Sequence, residues 1–331
     1  MSESTLTLGY PDLRAELGAY LGYGRTPGNW DTEQTATVES ILQRGMRQFY
    51  VPPVLPGQSR SHSWRFLHPV TTLTTVAPYS TGTVSSVGTT VTLTGGTWPS
   101  WAATHGTLTV DETDYEIASR DSDTELTLSA APGTAFSDDD YDLEHDGNYD
   151  LPDDFGGIEG RFTYAKDEAT YTFARGVDVV GEGLIRAKRQ FGISGGFPKI
   201  AAIRCKAATG VSGQRWEVLF WPVPNAVYNL SYRYTAIPGK LTSALPYPLG
   251  GALHSETILA SCMAAAELKV NGVKAELWAT FMERLAASVS LDSQATDATY
   301  FGYNGDHSDA SSRELSQRTN YVRFKGTLYS G

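Results

Sequence analysis

The sequence predicts an α+β protein, in which a small helical bundle and an antiparallel sheet accompany an inserted small β-barrel or sandwich. Three observations lead to this prediction. Residues 249–291 carry the longest helical periodicity, further amphipathic patterns precede residue 52, and residues 71–151 are rich in Thr, Ser, Gly and Asp. Because helical sequence lies on both sides of the strand-rich stretch, that stretch is predicted to be an insertion into another domain.

Residues 249–291 are predicted to form two helices, separated at Asn271-Gly272. In the first helix Leu253, Ile258 and Cys262 recur at intervals of four or five, and in the second the apolar residues stand four apart, as on one face of a helix. Asn and Gly tolerate the left-handed conformation that ends a helix, so the chain can turn and restart there. The two helices are expected to form an antiparallel hairpin that needs a partner for its apolar face.

Two N-terminal helices are the expected partner. The first begins at Tyr10-Pro11-Asp12, because proline suits the first helical turn and an acid is favoured near the positive end of the helix dipole. The second opens at Asp31, which resembles a capping box with Gln34, and Pro52-Pro53 ends it. The predicted core of the resulting bundle is Leu13, Leu17, Ile41, Leu42, Phe49, Leu277, Phe281 and Leu285.

The inserted segment is predicted to contain short strands with glycine- or aspartate-rich turns between them, at a spacing typical of a barrel or sandwich. Trp98, Trp101 and Tyr115 are expected in its core, and stacking of the tryptophans on a glycan is the alternative. The predicted strands are 83–87, 90–94, 106–110, 114–119 and 124–128.

Outside the insert the pattern alternates between strand and helix. Residues 63–67 are predicted as a strand, and residues 162–164 pair with 171–173 in a predicted hairpin. A short basic helix is expected over 183–190. Strands at 214–221 and 228–234 are predicted to form a second hairpin, with the proline-containing residues between them as its turn.

The predicted domain organisation is therefore discontinuous. Residues 1–74 and 148–305 form the main core, residues 75–147 form the inserted β domain, and residues 306–331 form an extended C-terminal arm. The arm interleaves aromatic with basic side chains but has too little apolar sequence for a core of its own. Its predicted contact residues are Arg318, Tyr321, Arg323, Phe324, Lys325 and Tyr329.

Composition excludes some classes of function. The net charge of −11 argues against a basic surface that grips nucleic acid. No apolar run approaches the roughly 18 residues of a membrane span, and the first residues lack the features of a signal peptide. Cys205 and Cys262 are expected to be reduced and structural, as in a protein that folds in the cytosol.

Motifs for catalysis or metal binding are weak. Residues 192–196 spell G-x-S-x-G, but the strand and helix that a nucleophilic serine requires are not predicted around Ser194, so a glycine loop is favoured over a hydrolase. The six histidines show no metal-ligand spacing. The acidic residues of 138–154 are interpreted as a solvated linker, with calcium binding as the alternative. No enzyme activity, cofactor or metal is therefore expected.

The order of several segments resembles the head-to-tail adaptor, or connector, proteins of tailed bacteriophages. The resemblance rests on Gly45 to Pro53, Ser63 to Leu67, Leu151 to Phe155, Gly213 to Pro222, and Tyr247 to Gly251 ahead of the helical hairpin. It covers roughly residues 10–70 and 148–305, whereas the β insert and the C-terminal arm depart from the minimal adaptor.

The resemblance implies a virion structural protein without enzymatic activity. Such proteins form a ring, commonly of twelve copies, that binds the portal protein in the neck of the particle and receives a tail or nozzle protein. DNA passes through the ring without specific binding, since an acidic wall repels phosphate. The ring would assemble in the host cytoplasm, and the C-terminal arm would contact the portal. The competing expectation is a tail-surface or receptor-binding protein that uses the β insert to contact host glycan.

Overall fold

The computed structural model describes residues 3–164, 176–190, 195–208, 213–294, 321–324 and 327–330. Over these ranges the protein is α+β, as the sequence predicts, with six α-helices and several mainly antiparallel sheets. The chain divides into two compact units: a helical unit made of 1–68 and 237–331, and a β unit made of 69–236. The six helices are α1 (Tyr10–Tyr20), α2 (Thr32–Tyr50), α3 (Ala102–His105), α4 (Glu182–Arg189), α5 (Gly251–Asn271) and α6 (Glu276–Gln294).

The helix boundaries in the helical unit follow from local chemistry. Asp31 Oδ1 accepts a hydrogen bond from Gln34 N at 2.7 Å, and Gln34 Oε1 accepts one from Asp31 N at 3.0 Å, which confirms the predicted capping box at the start of α2. Helix α5 ends where Gly272 adopts a φ of 70°, as predicted. The buried carboxylate of Glu267 on α5 accepts hydrogen bonds from Ala275 N and Trp278 N, so α5 also caps the start of α6.

The predicted strand at 63–67 is wrong, because Arg65–Leu67 is a 3-10 helix. Leu67 N donates to Trp64 O at 3.0 Å, so this backbone is satisfied within its own turn rather than by a neighbouring strand. The indole Nε1 of Trp64 donates to Phe49 O at 2.8 Å and fixes the turn on the end of α2. The alternating character of the segment reflects aromatic residues that pack on helices.

One hydrophobic cluster lies among α1, α2, α5 and α6. Helices α2 and α5 approach closely at Gly45, whose carbonyl accepts a hydrogen bond from Ser261 Oγ at 2.8 Å. Leu277 is half-buried at the first turn of α6 and is not among the buried residues of the cluster. The other predicted core residues are all buried in it: Leu13, Leu17, Ile41, Leu42, Phe49, Phe281 and Leu285.

The described strands fall in five sheets. Four sheets lie in the β unit, and β16 with β17 forms the fifth. The strands are β1 (Val70–Thr74), β2 (Thr83–Val87), β3 (Thr90–Thr94), β4 (Gly106–Val110), β5 (Thr113–Arg120), β6 (Glu125–Leu128), β7 (Tyr141–His145), β8 (Asn148–Asp150), β9 (Phe155–Tyr164), β10 (Asp178–Val179), β11 (Gly195–Gly196), β12 (Ile200–Cys205), β13 (Trp216–Trp221), β14 (Val223–Pro224), β15 (Asn229–Ala236), β16 (Tyr321–Phe324) and β17 (Thr327–Ser330).

The largest sheet has six strands in the order β2-β3-β6-β5-β4-β7. Val84 in edge strand β2 exchanges backbone hydrogen bonds of 2.9 and 3.0 Å with Asp139, just before the other edge strand, so the sheet curls around its core. All five strands predicted for this segment are present, with ends that differ by at most one residue. Trp98 is buried in the core, whereas Trp101 and Tyr115 are half-buried against it.

The remaining larger sheets have the orders β1-β15-β9 and β10-β12-β13-β8. The predicted hairpin of 214–221 with 228–234 is therefore wrong, since β13 and β15 belong to different sheets. The residues between them do not form a tight turn. They include β14, which pairs in parallel with β11. The basic helix expected over 183–190 is present as α4. Of the other predicted hairpin, 162–164 ends β9 and 171–173 lies outside the described residues.

We expect residues 77–147 to be replaceable by a short Gly/Ser linker without unfolding the rest of the β unit. The curled sheet has its own cluster of buried residues, separate from the cluster that includes β9, β13 and β15. Val76 N donates to the Tyr149 hydroxyl at 3.2 Å, so the two ends of the segment lie close together. Far-ultraviolet circular dichroism of the deletion variant should show a cooperative thermal transition, and its absence would show that the two cores are interdependent.

Candidate functional site

The predicted C-terminal arm contains a hairpin. Strands β16 and β17 pair with each other in antiparallel register, with Tyr321 opposite Ser330 and Phe324 opposite Thr327. This arrangement differs from the fully extended arm that the sequence predicts, because the backbone groups on the inner edge of each strand pair with the other strand. Among the predicted contact residues, Tyr321, Arg323, Phe324 and Tyr329 lie in this hairpin, and Arg318 and Lys325 lie outside the described residues.

The helical unit exposes a group of large apolar side chains around the start of α5, here called the α5 surface. Their exposed fractions run from 43% to 79%. The N-terminal segment lies beside the start of α5, since Leu8 N donates to Ser255 Oγ at 3.1 Å and Tyr10 N donates to Pro246 O at 2.7 Å. An exposed apolar group of this kind is typical of a surface that contacts another protein. The α5 surface consists of Leu6, Leu245, Tyr247, Leu249 and Leu253.

Leu253 shows why the sequence did not reveal this surface. Periodicity assigns it to the apolar stripe of the first hairpin helix, but the structure leaves it exposed while Ile258 and Cys262 are buried. Leu253 and Ile258 are five positions apart, which is about 140° away from a shared face at 3.6 residues per turn. The interval of five was the available signal that Leu253 lies off the buried stripe.

His254, next to the α5 surface, is a packing residue. The rings of Phe49, Trp64 and Phe66 surround it at centroid distances of 6.1, 5.1 and 5.4 Å. Burial lowers its pKa, which disfavours the charged imidazolium and suits a residue that packs among aromatic rings. Close to these aromatic rings, His62 Nε2 lies 2.7 Å from Asp292 Oδ2. This contact joins the segment after α2 to α6.

In the β unit, backbone pairing brings two distant histidines and an aspartate together. His105 ends α3, and the next residue, Gly106, begins β4 and lies opposite His145 in β7. Asp146 N then donates to His105 O at 2.8 Å. The register of one pair of strands therefore juxtaposes His105, His145 and Asp146, here called the HHD cluster. His105 is far in the sequence from the adjacent His145 and Asp146, so spacing alone could not reveal the cluster.

The side chains of the HHD cluster converge. His105 Nδ1 lies 3.3 Å from Asp146 Oδ1, and His145 Nδ1 lies 3.4 Å from the same oxygen. Gly147 N donates to His145 Nδ1 at 3.0 Å. The hydrogen bond with Asp146 raises the pKa of His105, whereas burial lowers the pKa of His145 to about 4. Among the described residues these are the groups whose arrangement suits a metal ion.

The acidic stretch 138–154 is not a solvated linker, so that interpretation is wrong. It contains β7 and β8, which are edge strands of the six-stranded and the four-stranded sheet. Asp150 forms an ion pair with Lys206 at 2.6 Å, and Asp153 pairs with Arg215. Asp154 accepts a hydrogen bond from the Tyr234 hydroxyl at 3.1 Å. Three of these carboxylates are therefore paired with a basic residue or a tyrosine, whereas Asp138, Asp142 and Glu144 are exposed.

Two further features considered from the sequence concern reactive side chains. Ser194 lies outside the described residues, and the adjacent Gly195–Gly196 forms the short parallel strand β11. Cys262 is buried, which raises the pKa of its thiol to about 12 and suits a structural role. Cys205 is exposed at the end of β12.

None of the described helices has both the length and the apolar character needed to cross a membrane. Comparison of the chain with protein-family models and with curated proteins gives no match.

Proposed function

We propose that this protein is a head-to-tail adaptor of a tailed bacteriophage. It forms a ring, commonly of twelve copies in such proteins, that joins the portal protein to a tail or nozzle protein in the neck of the virion. The proposal rests on the order of sequence segments described above, and the α5 surface is the structural observation that carries it. A protein that acts through assembly must present a surface to its neighbours, and the five large apolar residues of this surface are between 43% and 79% exposed.

A second copy of the chain is the proposed occupant of the α5 surface. Burial of apolar area contributes about 25 cal/mol per Å², so five large side chains provide a substantial part of an interface. A contact between this surface and a different face of the next copy is heterologous, and a heterologous contact closes into a ring when its rotation permits. Leu253 is the member of this surface that lies on α5 itself, and its side chain is 75% exposed and so available to the next copy.

The proposed adaptor core is the bundle of α1, α2, α5 and α6 with the sheets that contain β9, β13 and β15. The segment 75–147 is proposed as a β module inserted into this core. Support for the insertion comes from the separate cluster of buried residues inside the curled sheet and from the contact of Val76 N with the Tyr149 hydroxyl. The module would project from the ring, as an insertion in a subunit commonly does.

The net charge of −11 supports a DNA channel rather than a DNA-binding surface. Counterion release upon binding to clustered Lys and Arg is the main source of affinity for the phosphate backbone. An acidic wall lacks that source and repels phosphate, so DNA can pass through without specific binding. The ring would assemble in the host cytoplasm before it joins the particle.

The C-terminal hairpin is proposed to bind the portal protein. We expect that truncation after Gly305 preserves the fold of both units but abolishes co-sedimentation with rings of the portal protein. The removed residues include the paired strands β16 and β17, whose backbone groups can extend a sheet of the partner. The variant that lacks residues 77–147 is the control, since it should still co-sediment. If the truncated protein co-sediments with portal rings as well as the full chain does, the C-terminal hairpin is not the portal contact. The contact would then be assigned to the helical unit.

A tail-surface protein that binds host glycan is the competing function. That function would use the β insert, but Trp98 is buried in its core and cannot offer its ring to a sugar. Trp101 is half-buried and packs edge-on against His145 at 5.2 Å between ring centroids. Gold labelling of particles separates the two functions, because an adaptor lies in the neck and a receptor-binding protein lies at the exposed end of the tail.

A further inference from the structure

We propose that the HHD cluster binds one zinc ion per chain. This site goes beyond the proposed assembly function and does not depend on it. Zn²⁺ is bound in proteins by imidazole nitrogen, carboxylate oxygen and thiolate sulfur, so two histidines with one aspartate form a suitable donor set. Ca²⁺ and Mg²⁺ prefer oxygen donors alone, and the two imidazoles therefore select for a transition metal.

Two of the three distances within the cluster match those between ligands of one ion. Two ligand atoms bound about 2.0–2.1 Å from a tetrahedral zinc ion lie about 3.3 Å from each other. Asp146 Oδ1 lies 3.3 Å from His105 Nδ1 and 3.4 Å from His145 Nδ1. All three donor atoms lie within 4.8 Å of one another. An ion can therefore coordinate all three after small rotations of the side chains.

Neighbouring groups hold the donors in place. Asn148 N donates to Asp146 Oδ1 at 2.8 Å, and Asn148 Nδ2 donates to Oδ2 at 2.7 Å. Arg189 Nη1 in turn donates to Asn148 Oδ1 at 2.9 Å, which fixes the orientation of that amide. The ring of His145 stacks on Tyr149 at 4.4 Å between centroids. Hydrogen bonds and packing contacts to the ligand side chains commonly orient the ligands of a metal site and increase its affinity for the metal.

The cluster is accessible from solvent on one side. His145 is buried, but the side chains of His105 and Asp146 are 15% and 34% exposed. Three protein ligands leave a fourth position for water or a group from a partner. Binding would exchange the hydrogen bond from Gly147 N to His145 Nδ1 for a coordinate bond. The ion would tie the corner between α3 and β4 to the link between β7 and β8, and so stabilise the junction of two sheets.

The test uses the full chain, expressed without a histidine tag, and Zn²⁺ as the ligand. After removal of metal with a chelator and addition of ZnCl₂, dialysed protein should retain one zinc per chain by mass spectrometry of the metal. Its melting temperature should rise on the order of 5 °C at a zinc concentration about 100-fold above the dissociation constant. Substitution of Co²⁺ should produce the intense visible absorption of a four-coordinate site, a measurement that requires no variant.

His105→Ala and Asp146→Asn should each lose the bound zinc and the shift in melting temperature. Asp142→Asn, which removes an exposed carboxylate from β7, the strand that ends at His145, is the matched control and should retain both. His145 is left unchanged because its ring packs on Tyr149. Circular dichroism checks that the variants fold. The proposal is wrong if the unaltered chain retains no zinc and gives only the Co²⁺ spectrum of the free ion, or if both folded variants bind zinc as the control does.

Discussion

Replacement of Gly45 by valine is expected to destabilise the helical unit strongly. A Cβ atom on Gly45 would lie 2.5 Å from Cys262 Cα and 2.9 Å from Cys262 N, both of which are backbone atoms of α5. Backbone in a helix cannot move aside without loss of its own hydrogen bonds, so α2 and α5 would have to separate. Separation exposes Leu42 and Phe49, which are fully buried. We expect a loss of more than about 4 kcal/mol in the free energy of unfolding, a large part of the 5–15 kcal/mol typical of a domain.

Urea denaturation followed by circular dichroism at 222 nm measures this loss. Gly239→Val is the matched control in the same unit, because no described heavy atom lies within 4 Å of a Cβ built there. The control should change the free energy of unfolding by no more than about 0.5 kcal/mol. A Gly45→Val variant as stable as the control would mean that α2 and α5 do not pack at the separation seen in the structure.

Leu253→Glu is expected to abolish self-association without loss of the fold. The side chain of Leu253 is 75% exposed, so a charge there costs little in the monomer. In the proposed ring the same position is covered by the next copy, where an unpaired carboxylate must lose its hydration. The expected result in sedimentation velocity is a shift from a large oligomer to the monomer, with an increase of at least about 100-fold in the dissociation constant, equivalent to about 2.7 kcal/mol.

Val273→Glu is the control for this prediction. Val273 is also an exposed apolar residue, with 56% of its surface accessible, but it lies in the turn between α5 and α6 rather than on the α5 surface. We expect this variant to associate like the unaltered chain. If Leu253→Glu still forms the oligomer, the α5 surface is not the contact between copies.

Where local chemistry determines an element, the sequence was sufficient to predict it. The capping box of Asp31 and Gln34, the glycine end of α5 and the strands of the curled sheet each depend on a few neighbouring residues, and the structure confirms them. The partners of a strand depend instead on the whole fold. For that reason β13 and β15 were correctly predicted as strands and wrongly predicted as partners of each other.

The candidate sites were harder to predict for the same reason. The HHD cluster forms only because β4 and β7 pair in one register, and no local pattern relates His105 to Asp146. The exposure of Leu253 depends on which side of α5 is buried, and α5 packs on α2 at Gly45. Apolar character alone does not distinguish Leu253 from Ile258, although one is exposed and the other is buried.

Electron microscopy of the purified protein, alone and mixed with its portal protein, tests the proposed adaptor function most directly. We predict class averages that show a closed ring with an open central channel, and in the mixture a ring seated on one end of the portal. Single subunits in both samples, at concentrations where the portal itself is intact, would contradict the proposal.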